Sequence, residues 1–182
     1  MKKIFGLLGI CLLLVGCGIT EQKASDAVKD YLNQYKNLGD TVITDLATLV
    51  DAEDLTDEQK EVYKEVLQKQ YQDLSYTIVE EEYDGDKAEV EVTVTVYDLY
   101  KAQTDAATYL SNNLSEFNDE QGVYDNEKYM DYKLEQMKKT TNTIEYTINF
   151  RVVKVDDKWT VEQPSTDDLE KIHGIYNYDI ES

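Results

Sequence analysis

The chain has 182 residues, with 38 Asp and Glu against 18 Lys and Arg, for a formal net charge of −20. So acidic a protein repels nucleic acid and anionic lipid headgroups, which excludes DNA and RNA binding and leaves cations or basic protein surfaces as attracted partners. The simplest role of that charge is solubility at a surface.

The first segment is Met1-Lys2-Lys3, followed by a twelve-residue apolar run from Ile4 to Val15. A positive start and an apolar stretch of this length have the anatomy of a signal peptide. The run falls short of the ~20 apolar residues that a membrane-spanning helix needs. It ends Leu14-Val15-Gly16-Cys17-Gly18. This resembles the lipobox of bacterial lipoproteins, in which the Cys thiol receives a diacylglyceryl group and the bond before it is cut. The resemblance implies residues 1–16 as signal peptide and Cys17 as the lipidated N-terminus. The start of the first helical pattern makes 17–23 a short tether, and the remaining length, with no Pro/Gly/Ser linker, predicts 24–182 as one domain. Two acyl chains give stable anchoring where one does not, so the implied location is the extracellular face of the cell membrane. The tether would keep the domain within roughly 20 Å of the lipid. Loss of Lys2 and Lys3 leaves 16 basic against 38 acidic side chains, about −22. Cys11 leaves with the signal peptide, so the mature chain would have one blocked cysteine and no disulfide within it.

Ala24, Ala27, Val28, Tyr31, Leu32, Tyr35 and Leu38 mark a first helix stopped by Gly39, and Ile43, Leu46, Leu49 and Val50 a second. Thr56 and Gln59 have capping-box spacing and open a third helix, with Val62, Tyr63, Val66, Leu67, Tyr71 and Leu74 on its stripe. The period then becomes two: Tyr76, Ile78 and Glu80 alternate with Thr77, Val79 and Glu81. Asp84-Gly85-Asp86 predicts a hairpin turn, and Ala88, Val90, Val92, Val94 and Val96 an inward strand face. Helical spacing returns from Leu99 to Phe117. A polar loop, Asn118 to Asn126, separates this from a helix with Tyr129, Met130, Leu134 and Met137. A second hairpin follows, with Ile144, Tyr146, Ile148, Phe150 and Val152 inward and a turn at Asp156-Asp157, before Trp159 and Val161. Ser165 can cap a last helix reaching His173.

The fold class read from this order is α+β: an antiparallel sheet of two hairpins packed by N-terminal helices, with a helical hairpin inserted between the strand pairs. The close, Phe150-Arg151-Val152-Val153-Lys154-Val155-Asp156-Asp157-Lys158-Trp159-Thr160-Val161, resembles the last hairpin of NTF2-like (cystatin-like) lipoproteins, as do several uncharacterised Gram-positive lipoprotein families. The resemblance implies a curved sheet with helices across it, in many members enclosing a cone-shaped pocket. It brings no functional residues with it.

Candidate site residues are few. His173 is the only histidine, placed where a cation would suit a helix C-terminus, and it gives neither a zinc set nor a serine triad. Arg151 is the only arginine, on the polar face of a strand. A cross-strand ion pair is its simplest role, and contact with an anionic ligand the sharper one. Glu80-Glu81-Glu82, Asp84/Asp86, Asp156/Asp157 and the loop Asn118 to Gly122 lack the oxygen spacing of a calcium loop. No cofactor, metal or catalytic set is expected. The 15 tyrosines suit both core filling and recognition.

These features predict a monomeric binding or interaction module whose partner is a protein or small molecule. A carboxylate-based hydrolase or isomerase would require two facing acids in a concave pocket. A structural envelope lipoprotein would have no sizeable pocket.

Overall fold

The computed structural model describes residues 22–181, so the signal peptide, lipobox and lipidation at Cys17 expected from sequence lie outside the described residues. In chain order the elements are α1 (Ala24–Lys36), α2 (Asp40–Asp51), α3 (Asp57–Asp73), β1 (Ser75–Asp84) and β2 (Lys87–Tyr97). Then come α4 (Leu99–Asn112), a 3-10 turn (Leu114–Phe117) and α5 (Asn126–Lys139). β3 (Thr143–Val155), β4 (Lys158–Val161), α6 (Thr166–His173) and a closing 3-10 turn (Tyr178–Glu181) complete the α+β fold.

Local chemistry sets most boundaries. At the start of α3, Thr56 Oγ1 accepts the Gln59 N–H at 3.2 Å while Gln59 Oε1 accepts the Thr56 N–H at 3.1 Å, the expected capping box. At the end of α1 it is Leu38, with φ of 50°, that takes the left-handed conformation expected of a stop at Gly39. Gly39 instead caps α2 and donates its N–H to Gln34 O. The single helix expected from Leu99 to Phe117 breaks at Asn113. There Asn112 and Asn113 turn their amides back onto the carbonyls of Thr108 and Tyr109, competing with helix propagation.

The sheet is antiparallel throughout, in the order β1-β2-β3-β4. β2 and β3 pair without interruption from Lys87↔Val153 to Tyr97↔Thr143. The long excursion through α4 and α5 therefore leaves from Tyr97 and returns at its cross-strand partner. Its neck is closed by the Asp98 N–H on Asn142 O at 2.9 Å. An insertion entering and leaving at paired positions does not disturb the ladder beneath it.

β1 departs from strict alternation. Its register with β2 shifts between Ile78 and Glu80, so Val79 is a bulge residue and stands 54% exposed. One extra residue inverts the faces beyond it. Glu81 rather than Glu80 thus joins the inward face, and Glu80 and Glu82 point outward. Glu81 then accepts the Ser25 N–H at 3.1 Å and the Tyr83 hydroxyl at 2.6 Å, while Tyr83 Oη accepts the Ala24 N–H. The bulge thereby attaches the N-terminus of α1 to the edge strand.

The inner sheet face is filled. Val90, Val92, Val94, Ile148, Phe150 and Val152 are at most 2% exposed, beneath α1, α3 and α6. A cone-shaped space between sheet and helices, implied by the NTF2-like resemblance, is therefore occupied by side chains. At one end Tyr83 of β1 reaches Trp159 of β4, with ring centroids 5.6 Å apart, curling the two sheet edges together.

Candidate functional site

Two cavities of comparable size stand out. One, about 440 Å³, is an open groove on the outer sheet surface beside Arg151. The other, about 420 Å³, is more enclosed and lies among helices rather than against the sheet. Pockets that hold small molecules typically fall in the range of roughly 300–1,000 Å³ and are enclosed enough to bury most of the ligand, which favours the second.

That pocket is built from helical stripes. α1 contributes Tyr31, Gln34 and Tyr35, and α2 contributes Val42, Asp45, Leu46 and Leu49, in each case at spacings that share a helix face. Tyr71 of α3 forms the back wall, and Leu169 and His173, one turn apart on α6, form a side. The aromatic rings interlock. Tyr31 and Tyr35 have centroids 5.6 Å apart, Tyr35 and Tyr71 5.1 Å, and Tyr71 and His173 5.5 Å. The two tyrosine pairs pack edge to face and the Tyr71–His173 pair is tilted; edge-to-face pairs stabilise beyond their area burial.

Polar atoms are paired within the wall. The Tyr31 and Tyr35 hydroxyls lie 3.2 Å apart, and the Tyr71 hydroxyl lies 2.8 Å from His173 Nδ1. Burial pushes the Tyr31 and Tyr71 phenols well above their ordinary range, and burial also raises Tyr35. The charge of Asp45 acts in the same direction on all three. Burial lowers His173 from 6.5 to about 4. The ring is therefore neutral at pH 7, in contrast to the helix-end cation expected from sequence. Its packing against Tyr35 and Tyr71 makes desolvation outweigh any favourable helix dipole.

Arg151 sits elsewhere, exposed on the outer face of β3 and directly opposite Glu89 of β2. The expected ion pair does not form: no carboxylate among the described residues lies within salt-bridge distance of the guanidinium. Both side chains keep their water, consistent with the small worth of exposed pairs. Glu82, Glu89 and Glu162 line the groove beside it. The remaining acidic candidates have structural duties. Asp84 and Asp86 flank the Gly85 turn, and Asp119 Oδ1 accepts the N–H groups of Gln121 and Val123 to shape its loop. Among the described residues, no three His, Cys, Asp or Glu side chains are grouped to hold a metal ion. Among the same residues, no helix is long and apolar enough to cross a membrane.

Sequence reasoning missed the pocket, although it named its wall. Tyr31, Tyr35 and Tyr71 were visible as helix stripe positions. The period of each helix marks its own stripe and not the space that α1, α2 and α6 leave between them.

No protein family and no curated protein matches the chain. One solved structure does. The chain shares its fold with YcdA, a candidate lipoprotein of Bacillus subtilis. The TM-score is 0.54 at 15% identity, over 85% of this chain. The chain spans 56% of the length of that protein. At this identity the likeness shows the shared fold alone.

Proposed function

We propose that the protein is a lipid-anchored binding module on the extracellular face of the membrane, with the helix-lined tyrosine pocket as its site. The observation that carries this is the partly enclosed space of about 420 Å³ between α1, α2 and α6, lined by Tyr31, Tyr35 and Tyr71. Rigid aromatic walls with a few polar tips are the composition that recognition sites favour. The anchor rests on Leu14-Val15-Gly16-Cys17, and the fold shared with a candidate lipoprotein is in keeping with it. A curved antiparallel sheet with helices on one face also keeps the NTF2-like reading in play, with the binding space displaced from the cone to the helical layer.

The carboxylate enzyme has less support. It requires two acids facing each other in a concavity, and among the described residues Asp45 is the only carboxylate lining this one. An envelope protein without a ligand leaves this partly enclosed, aromatic-lined space unexplained.

Two measurements test the proposal. Cys17→Ala should move the protein out of the membrane fraction, and unchanged fractionation would refute the anchor. A fragment library screened against the ring signals of Tyr31, Tyr35 and Tyr71 should give binders that shift those signals, and a complete lack of them would refute the site.

A further inference from the structure

A further recess, about 270 Å³, lies between α3, α4 and α5 and shares no lining residue with the tyrosine pocket. Tyr63, Leu134 and Met137 are at most 7% exposed and form its floor. Its mouth is open, since Tyr100, Gln103, Met130 and Lys133 each keep partial exposure. Met130 and Met137 are the only methionines after Met1, and both line this recess. Methionine is flexible and polarisable, so its surface adapts to the shape of a bound group.

Lys133 departs from the pattern of its helix. It follows Met130 by three residues and precedes Met137 by four, which puts it on the apolar stripe of α5. The other three lysines of α5 each bring the ammonium to an acceptor. Lys128 Nζ lies 2.6 Å from Asn118 O, Lys138 Nζ 2.8 Å from Glu65 and Lys139 Nζ 2.8 Å from Glu135. Lys133 makes no hydrogen bond and no ion pair among the described residues. The Gln103 amide, on the face of α4 that carries Tyr100, makes no side-chain hydrogen bond among them either. Burial pushes the Lys133 ammonium below its ordinary range, and the charge of Glu53 offsets only part of that. A half-buried charge without a partner is destabilising, and a ligand that supplies the partner recovers the loss. A cationic ligand would meet the ammonium unfavourably, and a neutral one would leave it unpaired. Glu53 lines the recess from an exposed position, where water and salt screen it. The same screening limits the net charge of −20 to a range of about 8 Å.

We propose that this recess binds a small apolar monocarboxylate, with its carboxylate on the Lys133 ammonium and the Gln103 amide and its hydrocarbon part against Met130 and Met137. A volume just below the usual range for drug-sized ligands suits an acid of that size. The two polar groups come from α4 and α5, so a bound carboxylate would tie the two arms of the helical hairpin together. The site is independent of the tyrosine pocket, and neither stands or falls with the other.

The test uses three probes of similar shape and different charge: benzoate, benzamide and benzylammonium. They are titrated into the full chain in a non-ionic detergent, with the methionine methyl NMR signals as readout. Benzoate should shift the Met130 and Met137 signals and bind about tenfold more tightly than benzamide, with benzylammonium weakest. Lys133→Met removes an unpaired charge, so it should fold at least as stably and bind benzoate no better than benzamide. Glu53→Gln, at an exposed position, should tighten benzoate binding about twofold. Equal affinity for benzoate and benzamide in the unaltered protein, or a benzoate preference that survives Lys133→Met, would overturn the proposal. So would methionine signals that none of the three probes moves. Should Lys133→Met fail to fold, the probe comparison in the unaltered chain and Glu53→Gln decide, and benzoate binding that weakens in Glu53→Gln would overturn it.

Discussion

Gln70 Oε1 accepts the backbone N–H of Tyr97 at 2.9 Å, where the end of α3 meets the end of β2. The same amide, fully buried, directs Nε2 toward the carbonyls of Ile172 and Tyr97 at 3.4 and 3.5 Å, adding the end of α6 to the junction. A buried amide with each end occupied is stabilising, whereas one with an end left empty is costly. The junction also fixes the geometry of α6, and hence of His173 one residue before its cap.

Gly174 closes that junction at φ of 73°, donating its N–H to Lys171 O and accepting the Tyr100 N–H on its own carbonyl. A Cβ there would collide with Tyr97 O and Gln70 Nε2. Gly174→Ala should therefore lose about 2–4 kcal/mol, combining left-handed strain with overpacking. Gly85→Ala, at φ of 61° with open space around it, should lose only about 1 kcal/mol. Urea unfolding of the two variants checks the contrast, and equal losses would contradict it.

His173 makes stability depend on pH. Its folded value of about 4 lies below the ordinary 6.5, so between those values the unfolded chain takes up a proton that the folded chain refuses. Its contribution is intact above pH 6.5, erodes as the pH falls toward 4, and levels off below. The full difference corresponds to about 3 kcal/mol, and the ring's open edge on the pocket reduces the expected loss to about 2 kcal/mol. His173→Gln offers Tyr71 a polar partner without the titration. The stability gap between the two proteins should change by that amount across the window, and a constant gap would rule the histidine out.

Glu81 stabilises the start of α1. Burial pushes its carboxyl up, but hydrogen bonds from Tyr83 and Ser25 outweigh burial and hold it below its ordinary range. Glu81→Ala should cost about 1–2 kcal/mol, comparable to loss of a helix cap. Amide exchange should accelerate at Ala24 and Ser25 while the sheet core stays protected. Unchanged exchange at those two amides would show that the carboxylate does not hold the helix.

Tyr146 is an opposite case. Its hydroxyl is buried with no hydrogen-bond partner among the described residues, beside the ring of Tyr176 at 5.8 Å. Tyr146→Phe removes a polar atom that was dehydrated without compensation, so stability should stay level or rise by about 1 kcal/mol. A loss above that size, measured by thermal unfolding, would reveal a partner for the hydroxyl.

Much of the architecture was readable from period alone. The alternation from Ala88 to Val96 and from Ile144 to Val152 gave the two central strands their correct faces, because both faces of a half-buried strand differ sharply in polarity. The capping box at Thr56 and Gln59 placed the start of α3. What failed depended on single-residue geometry or on distant neighbours. The bulge at Val79 sits among glutamates whose alternation looks the same in either phase. The neutrality of His173 follows from two tyrosines on other helices, and the missing Arg151–Glu89 pair from solvent competition, neither of which is encoded locally.

The attachment of α1 to β1 also has a mechanical side. A pull on the chain ahead of Ala24 is met at once by Glu81 and Tyr83, both on an edge strand, while the body of α1 packs against β4 at the opposite edge. Tension would thus spread to both margins of the sheet and to the Tyr83–Trp159 clasp between them, rather than peel one helix from the surface. Any protein tethered at that end would carry its load through both edges of its sheet rather than through one helix.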